Sequence, residues 1–388
     1  MFMLGLVGKS NTGKSTFFSA ATLINVEISN RIFTTIEPNK GVSYVRTECP
    51  CKILGIKCAP KNSLCIDGQR FVPVQVIDIA GLVPGAYEGR GLGNKFLSDI
   101  MGANALIHVL DMSGGTDNDG NPVAAGSHDP EKDIYFLEDE IDYWILGLLE
   151  KNWNQIKQKA MHEKIENLIY KQLSGLNMSS ETVKQLVEKH NITAEIEPEK
   201  LMLFIKDLRQ RNKPIILVGN KMDVFQSQQN FEKMKNHEII PCYAEAELAL
   251  RRAADKGFIK YIPGDSGFEI IGNTDDRQKQ ALGFIKKYME KYKTTGIQDC
   301  INKAVFDVMK MIVVYPVENE SRFSDKKGNI LPNAKLMPSS STAVDMAYAV
   351  HEDIGRNFIS AVDCRIHQRI GSEHQLKTGD IISIKSRS

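Results

Sequence analysis

An α/β fold built on a doubly wound, mostly parallel sheet is predicted by three features of the chain. Apolar segments recur at 3–7, 72–79, 105–110 and 214–218, the last three rich in β-branched residues and each running into a polar loop. Helical-looking stretches alternate with these strands, which is the order of βαβ units. A glycine-rich turn follows the first strand at once and opens a helix at Lys14. Ligands of such sheets sit at the carboxyl ends of the strands, where this turn lies.

At 388 residues the chain exceeds one ordinary core, and two or three domains are expected. Hydrophobic residues make up 42% and charged residues 25%, the profile of a soluble globular protein. A net charge of +1 excludes a global pull toward nucleic acid or membrane, so such contacts must come from local patches. No run of eighteen apolar residues occurs, and no membrane partner is expected. No basic leader with a cleavage site precedes the glycine-rich turn. Seven cysteines without such a leader fit a reducing cytoplasm.

The segments group into modules. Residues 1–128 and 207–308 read as two parts of one α/β domain, with a helical insert at 129–206 between them. Asp129 and Pro130 suit the N-cap and first position of a helix. Ile134, Leu137, Ile141, Trp144, Ile145 and Leu148 then recur at the spacing of one helix face, and Gly175 and Asn177 interrupt the run, giving a helical hairpin. The last unit, 309–388, is mixed α+β, with strands at 312–315 and 380–384 and a turn at 324–329. Thr342 and Asp345 form a capping-box variant opening a helix to His351, with Gly355 near its stop.

The sequence GKSNTGKS (8–15) is a P-loop in its required context, after a strand and before a helix. Gly8, Asn11, Thr12, Gly13, Lys14, Ser15 and Thr16 are its nucleotide-binding candidates. The glycines let backbone N–H groups wrap phosphates, and the helix N-terminus adds positive potential. Lys14 is expected on the β- and γ-phosphates and the Ser15 hydroxyl on magnesium. Asp78 ends a strand about sixty residues later, as the second magnesium-side residue, and Gly81 would sense the γ-phosphate through its N–H. Thr35, preferred to Thr34, is the candidate switch threonine for magnesium and γ-phosphate. Lys14, Thr35 and Gly81 are thus the catalytic candidates.

Asn220, Lys221 and Asp223 form N-K-x-D after the strand at 214–218. Guanine presents N1–H and an exocyclic amine side by side; the Asp223 carboxylate can accept both, and adenine offers no such pair. Asn220 is expected to tie this loop to the P-loop, Lys221 to cover the base, and the Ala244 N–H to donate to the guanine carbonyl. These residues predict GTP with magnesium as the ligands. Leu82 stands where Ras-like enzymes orient water with glutamine, so slow hydrolysis is expected. Asn11 matches the P-loop asparagine of potassium-activated GTPases, which adds potassium to the expected ligands. A nucleoside-triphosphatase or kinase acting on a small acceptor is the alternative class, and it would need a further general base near the γ-phosphate.

Together these motifs make the chain similar to the Obg-like superfamily of translation-associated GTPases, and within it to the archaeal form of the YchF branch. The resemblance rests on GKSNTGKST (8–16), FTTIEPNKG (33–41), DIAGLVPGAYEGRGLGNKFL (78–97), AEAELALRRA (244–253), and on VYP (314–316), LPNAKLMP (331–338) and HQLKTGDIISI (374–384), which resemble a TGS domain. It implies a P-loop G domain with an inserted α-helical hairpin and a C-terminal β-grasp module, association with the ribosome or its RNA, and a hydrophobic residue in place of the catalytic glutamine. YchF relatives with a degenerate N-x-x-E prefer ATP; the intact Asp223 favours GTP here, with ATP as the alternative.

Two weaker signals remain. Cys49, Cys51, Cys58 and Cys65 could hold zinc, but their spacing lacks the usual C-x2-C knuckles, and reduced structural cysteines are the plainer reading. Basic residues between 326 and 377 could face RNA, although acids in the same stretch nearly balance them. A monomer is expected.

Overall fold

The structure, a computed structural model, describes residues 2–22, 39–79, 81, 85, 87, 99–176 and 178–387. Thr34, Thr35 and Leu82 lie outside the described residues. The central sheet comprises β1 (Met3–Val7), β2 (Lys40–Glu48), β3 (Leu64–Ile66), β4 (Gln69–Asp78), β5 (Ala105–Asp111), β6 (Ile215–Asn220) and β7 (Ile239–Pro241). Its order is β2-β4-β1-β5-β6-β7, with β3 also paired to β4. Strands β4, β1, β5, β6 and β7 are mutually parallel, and β2 and β3 run antiparallel to β4. All seven residues of β5 are buried, as a central strand covered on both faces requires. β1 lies between β4 and β5, so its carboxyl end opens where the chain diverges to either side.

Helix α1 (Lys14–Thr22) follows the P-loop, and the short α2 (Pro50–Leu54) follows β2. The insert contains α3 (Glu131–Glu150), α4 (Trp153–Lys159), α5 (Ile165–Leu173), α6 (Ser180–Lys189) and α7 (Pro198–Asn212). The long helices α3 and α7 pack on each other as the hairpin, and the three short helices fill the connection. Leu137, Ile141, Ile145, Phe204 and Leu208 form their seam, continuous with Val7, Ile77 and Leu106 of the sheet. Two boundaries differ from expectation. Helix α3 begins one residue late because Pro130 is the cap, while Asp129 Oδ1 accepts from the Glu131 N–H at 3.1 Å. Helix α7 continues to Asn212, so a module boundary at 206/207 falls inside a helix.

Beyond β6 come α8 (Phe225–Lys233), α9 (Ala244–Asp255), a small ribbon of β8 (Ile259–Lys260) and β9 (Glu269–Ile270), α10 (Asp276–Tyr292) and α11 (Ile297–Asn302). The C-terminal module holds β10 (Met311–Val317), β11 (Lys335–Pro338), β12 (Phe358–Asp363), β13 (Gln368–Ile370) and β14 (Ile381–Ser386) in the order β11-β10-β14-β12-β13. The β10–β14 pair is parallel and the others antiparallel, the mixed sheet of a β-grasp. Helix α12 (Ala343–Val350) packs Ala343 and Met346 against Val314 and Ile382, and the expected capping box of Thr342 with Asp345 opens it. Gly355 is not a stop. It lies inside α13 (Glu352–Arg356), where a Cβ would stand 2.3 Å from the Tyr348 ring, so close packing demands the glycine.

Candidate nucleotide-binding site

The turn between β1 and α1 has the wrapped backbone that phosphate binding needs. Asn11 has φ +62° and Gly13 φ +91°, and a Cβ on Gly13 would meet Asn220 Nδ2 at 2.2 Å. Only glycine therefore lets the loop at Asn220 touch the turn after β1 here. Gly8 is equally confined, since a Cβ would lie 2.6 Å from the Val109 carbonyl oxygen. Thr12 is buried and its hydroxyl donates to the Lys9 carbonyl at 3.2 Å.

At the carboxyl end of β4, Asp78 stands beside the start of α1. Lys14 Nζ donates to Asp78 Oδ1 at 2.6 Å, and Ser15 Oγ lies 3.4 Å from Asp78 Oδ2. The ammonium thus pairs with the nearest anion, and a bound triphosphate offers it a stronger one. Ser15 and Asp78 present hard oxygen donors, the kind magnesium takes, so the residues fit that ion. Gly81 stands against the P-loop, where a Cβ would come within 3.0 Å of Ser10 Oγ.

Asn220 joins the two loops as expected. Its Nδ2 donates to the Thr12 carbonyl at 2.9 Å, and its Oδ1 accepts from the Ala244 N–H at 3.2 Å. The Ala244 donor is therefore directed at Asn220 rather than into the base cavity. Lys221 adopts φ +61° and its Nζ donates to the buried Asp111 carboxylate at 2.8 Å, which holds the stem beside the cavity. Asp223, Gly13, Thr16, Val224, Tyr243 and Glu245 line a cavity of about 170 Å³. Burial raises the Asp223 pKa above the ordinary carboxylate value. A carboxylate there gains from any pair of N–H donors that replaces its lost water.

Comparison with known proteins covers the same parts. Residues 3–141 match the family described as 50S ribosome-binding GTPase, residues 218–319 the Obg-like GTPase YGR210-like, G4 motif-containing domain, and residues 327–386 the TGS domain. An uncharacterized GTP-binding protein of Methanocaldococcus jannaschii is 48% identical over 394 residues, covering 100% of this chain and 99% of the relative. A ribosome-binding ATPase YchF of Buchnera aphidicola is 25% identical over 366 residues, covering 93% of this chain and 87% of the relative. The crystal structure of a GTP binding protein from Pyrococcus horikoshii OT3 is 36% identical, with a TM-score of 0.77 over 100% of both chains. The chain belongs to the Obg-like GTPases of the YchF type.

In this YchF-type protein, a P-loop NTP hydrolase, the phosphate loop is braced by residues that sequence reasoning did not single out. Lys9 is only 2% exposed; it pairs with the buried Asp133 of α3 at 2.8 Å and donates to the Asp117 carbonyl at 2.7 Å. His128 Nε2 also lies 2.8 Å from Asp133. Asn11 Nδ2 donates to the Gly120 carbonyl at 2.9 Å, so the 113–128 loop lies along the P-loop, as a turn closed on Asp117. On the other side, the nearly buried Glu140 accepts from the backbone N–H groups of Gly85 at 2.7 Å and Tyr87 at 3.0 Å, and Tyr143 stacks on Tyr87 at 5.3 Å. Nothing local marks Lys9, Asp133 or Glu140, because their partners come from other elements. Among the described residues no helix is long and apolar enough to cross a membrane.

Proposed function

We propose that the chain binds GTP with magnesium, hydrolyses it slowly, and works as a nucleotide-dependent switch on the ribosome or its RNA, as a cytoplasmic monomer. The observation that carries the reading is the link from Thr12 through Asn220 to the cavity holding Asp223, which sets a triphosphate cradle beside a carboxylate suited to guanine. Lys14 and the P-loop amides bind the phosphates, and Ser15 and Asp78 hold magnesium, which neutralises charge on the β- and γ-phosphates. Gly81, Thr16 and, in the sequence, Thr35 complete the set. Hydrolysis adds water to the γ-phosphorus and breaks its bond to the bridging oxygen, releasing GDP and phosphate. Leu82 supplies no hydrogen bond to that water, which supports slow turnover. Asn11 Oδ1 is available for potassium. The four cysteines, which their spacing alone reads as reduced structural thiols, are taken as a zinc site because their sulfurs lie within 4.8 Å of one another. The resemblance to a ribosome-binding relative and the TGS match support the partner. The name of that relative also makes ATP the second reading, which the intact Asp223 disfavours.

The test compares GTP and ATP affinity for the wild type and Asp223→Ala. Loss of hydrogen bonds to a charged acceptor predicts a fall in GTP affinity of roughly 10- to 100-fold with ATP unchanged. Preference of the wild type for ATP would contradict the guanine assignment. Single-turnover hydrolysis in potassium is expected to exceed that in sodium; equal rates would remove the potassium site.

A further inference from the structure

The four cysteines left aside by the nucleotide chemistry lie together. Cys49 lies between β2 and α2, Cys51 lies in α2, Cys58 follows the turn at Gly55, and Cys65 comes back on β3. Their sulfurs all lie within 4.8 Å of one another, and Cys51 Sγ and Cys65 Sγ are 3.7 Å apart. A tetrahedral zinc with Zn–S of about 2.3 Å sets sulfurs ~3.8 Å apart, so small side-chain shifts complete the site. The unusual spacing is met because a hairpin, not a second knuckle, returns the fourth ligand.

A second observation points the same way. Arg70 pairs in register with Cys65, is fully buried, and its Nη1 lies 3.7 Å from Cys58 Sγ. It has no carboxylate partner among the described residues, and its Nε is buried without any partner. A buried guanidinium needs a counter-charge, and thiolates are the groups at hand. A zinc tetrathiolate carries two negative charges, one of which Arg70 would offset.

The cluster also borders the C-terminal module. Between Cys58 and Cys65, the N–H groups of Ala59 and Lys61 donate to the carbonyls of Ile330 and Pro332 at 2.8 and 2.7 Å. Asn62 exchanges hydrogen bonds with the backbone of Ala334, both at 2.9 Å. Arg70 Nη2 donates to the Leu331 carbonyl, and its guanidinium carbon lies 5.3 Å from the Tyr315 ring centroid.

We infer that a zinc ion on Cys49, Cys51, Cys58 and Cys65 fastens the TGS module to the β2–β4 edge of the G domain, by holding the 59–62 segment in the shape that pairs with 330–334. The inference rests on the zinc reading of the cluster given above. The ion acts as a structural staple: four thiolates close the site, so no position remains for substrate. Strand β4 carries Arg70 near this staple and Asp78 at the nucleotide end, which makes the fastened module one body with the sheet.

Zinc content of the full chain, purified from zinc-supplemented cells, is expected at about one ion per chain, and roughly tenfold less in Cys58→Ser. Amide exchange at Ala59, Lys61 and Ala334 reads the fastening. Stripping the ion from the wild type with a chelator is expected to speed exchange at these amides roughly tenfold or more, while β6 amides and GTP binding stay unchanged. A chain without zinc overturns the metal reading. A chain that loses its zinc and keeps these amides equally protected overturns the fastening alone, and so does collapse of β6 protection with them. If Cys58→Ser fails to fold, the chelated wild type still supplies the comparison.

Discussion

The C-terminal module meets the G domain through backbone bonds from Ala59 and Lys61 to Ile330 and Pro332, with the Asn62 and Arg70 side chains bonded to Ala334 and Leu331, above a core shared by Tyr315, Leu331 and Cys49. The helical arm meets the same domain through side chains planted on the parts that handle phosphate. Asp133 grips Lys9 of the P-loop, and Glu140 grips the amides of Gly85 and Tyr87, just past Gly81. The TGS seam lies at the Arg70 end of β4, and Asp78 lies at the other. The arm's contacts fall on the P-loop and just past Gly81, and a ligand can shift an equilibrium only through contacts that differ between its states. On the proposed function, this difference puts the arm on the moving side of the switch and the TGS module on the fixed side.

The largest effect is expected where the arm holds the P-loop. Lys9→Met leaves the Asp133 carboxylate buried without its main partner and should cost about 3–5 kcal/mol in denaturant unfolding. Pairing it with Asp133→Leu should recover most of that loss. A cost under ~1 kcal/mol for Lys9→Met would break the comparison, because the arm would then be no more tightly coupled to the P-loop than a surface ion pair allows.

Glu140→Gln comes next. It keeps one acceptor and removes the charge that two N–H groups share, so unfolding should show a loss of about 1–3 kcal/mol. An unchanged melting curve would leave the arm seam resting on packing alone.

The smallest effect concerns the base pocket, which belongs to neither seam. Burial raises the Asp223 pKa, so the folded chain holds this proton more tightly than the unfolded chain. That contribution stabilises the ligand-free protein as pH falls through the raised pKa and is lost as pH rises. Guanine binding needs the anion, so GTP affinity should weaken over the same acid interval, by up to about tenfold per pH unit below that pKa. ATP affinity, measured by the same titration, should follow a flatter profile; parallel profiles would remove Asp223 from base recognition.

What could be read from the chain follows from where each constraint comes from. The P-loop, Asp78 and the Asn220 to Asp223 motif were legible because a ligand imposes both residue type and spacing. β2 was not legible because KGVSYVRTE, at a sheet edge, mixes polar and apolar residues with neither a continuous apolar run nor a strict alternation. Lys9 with Asp133, and Glu140 with Gly85, were invisible because any lysine or acid could serve and only the tertiary fold selects these. The four cysteines were named from the sequence as a possible zinc set, but their convergence was not legible in the spacing, because β3 brings Cys65 back by hairpin pairing to β4. Asn11 and Ala244 were identified at the site, yet their partners Gly120 and Asn220 depend on loop paths that residue type does not encode.

Amide exchange of the full chain in GDP and in a non-hydrolysable GTP analogue, both with magnesium, tests the account most directly. The prediction is altered protection at Gly85, Tyr87 and along α3, with Ala59, Lys61 and Ala334 the same in both states. Equal response of the two seams, or a response confined to the TGS side, would contradict it.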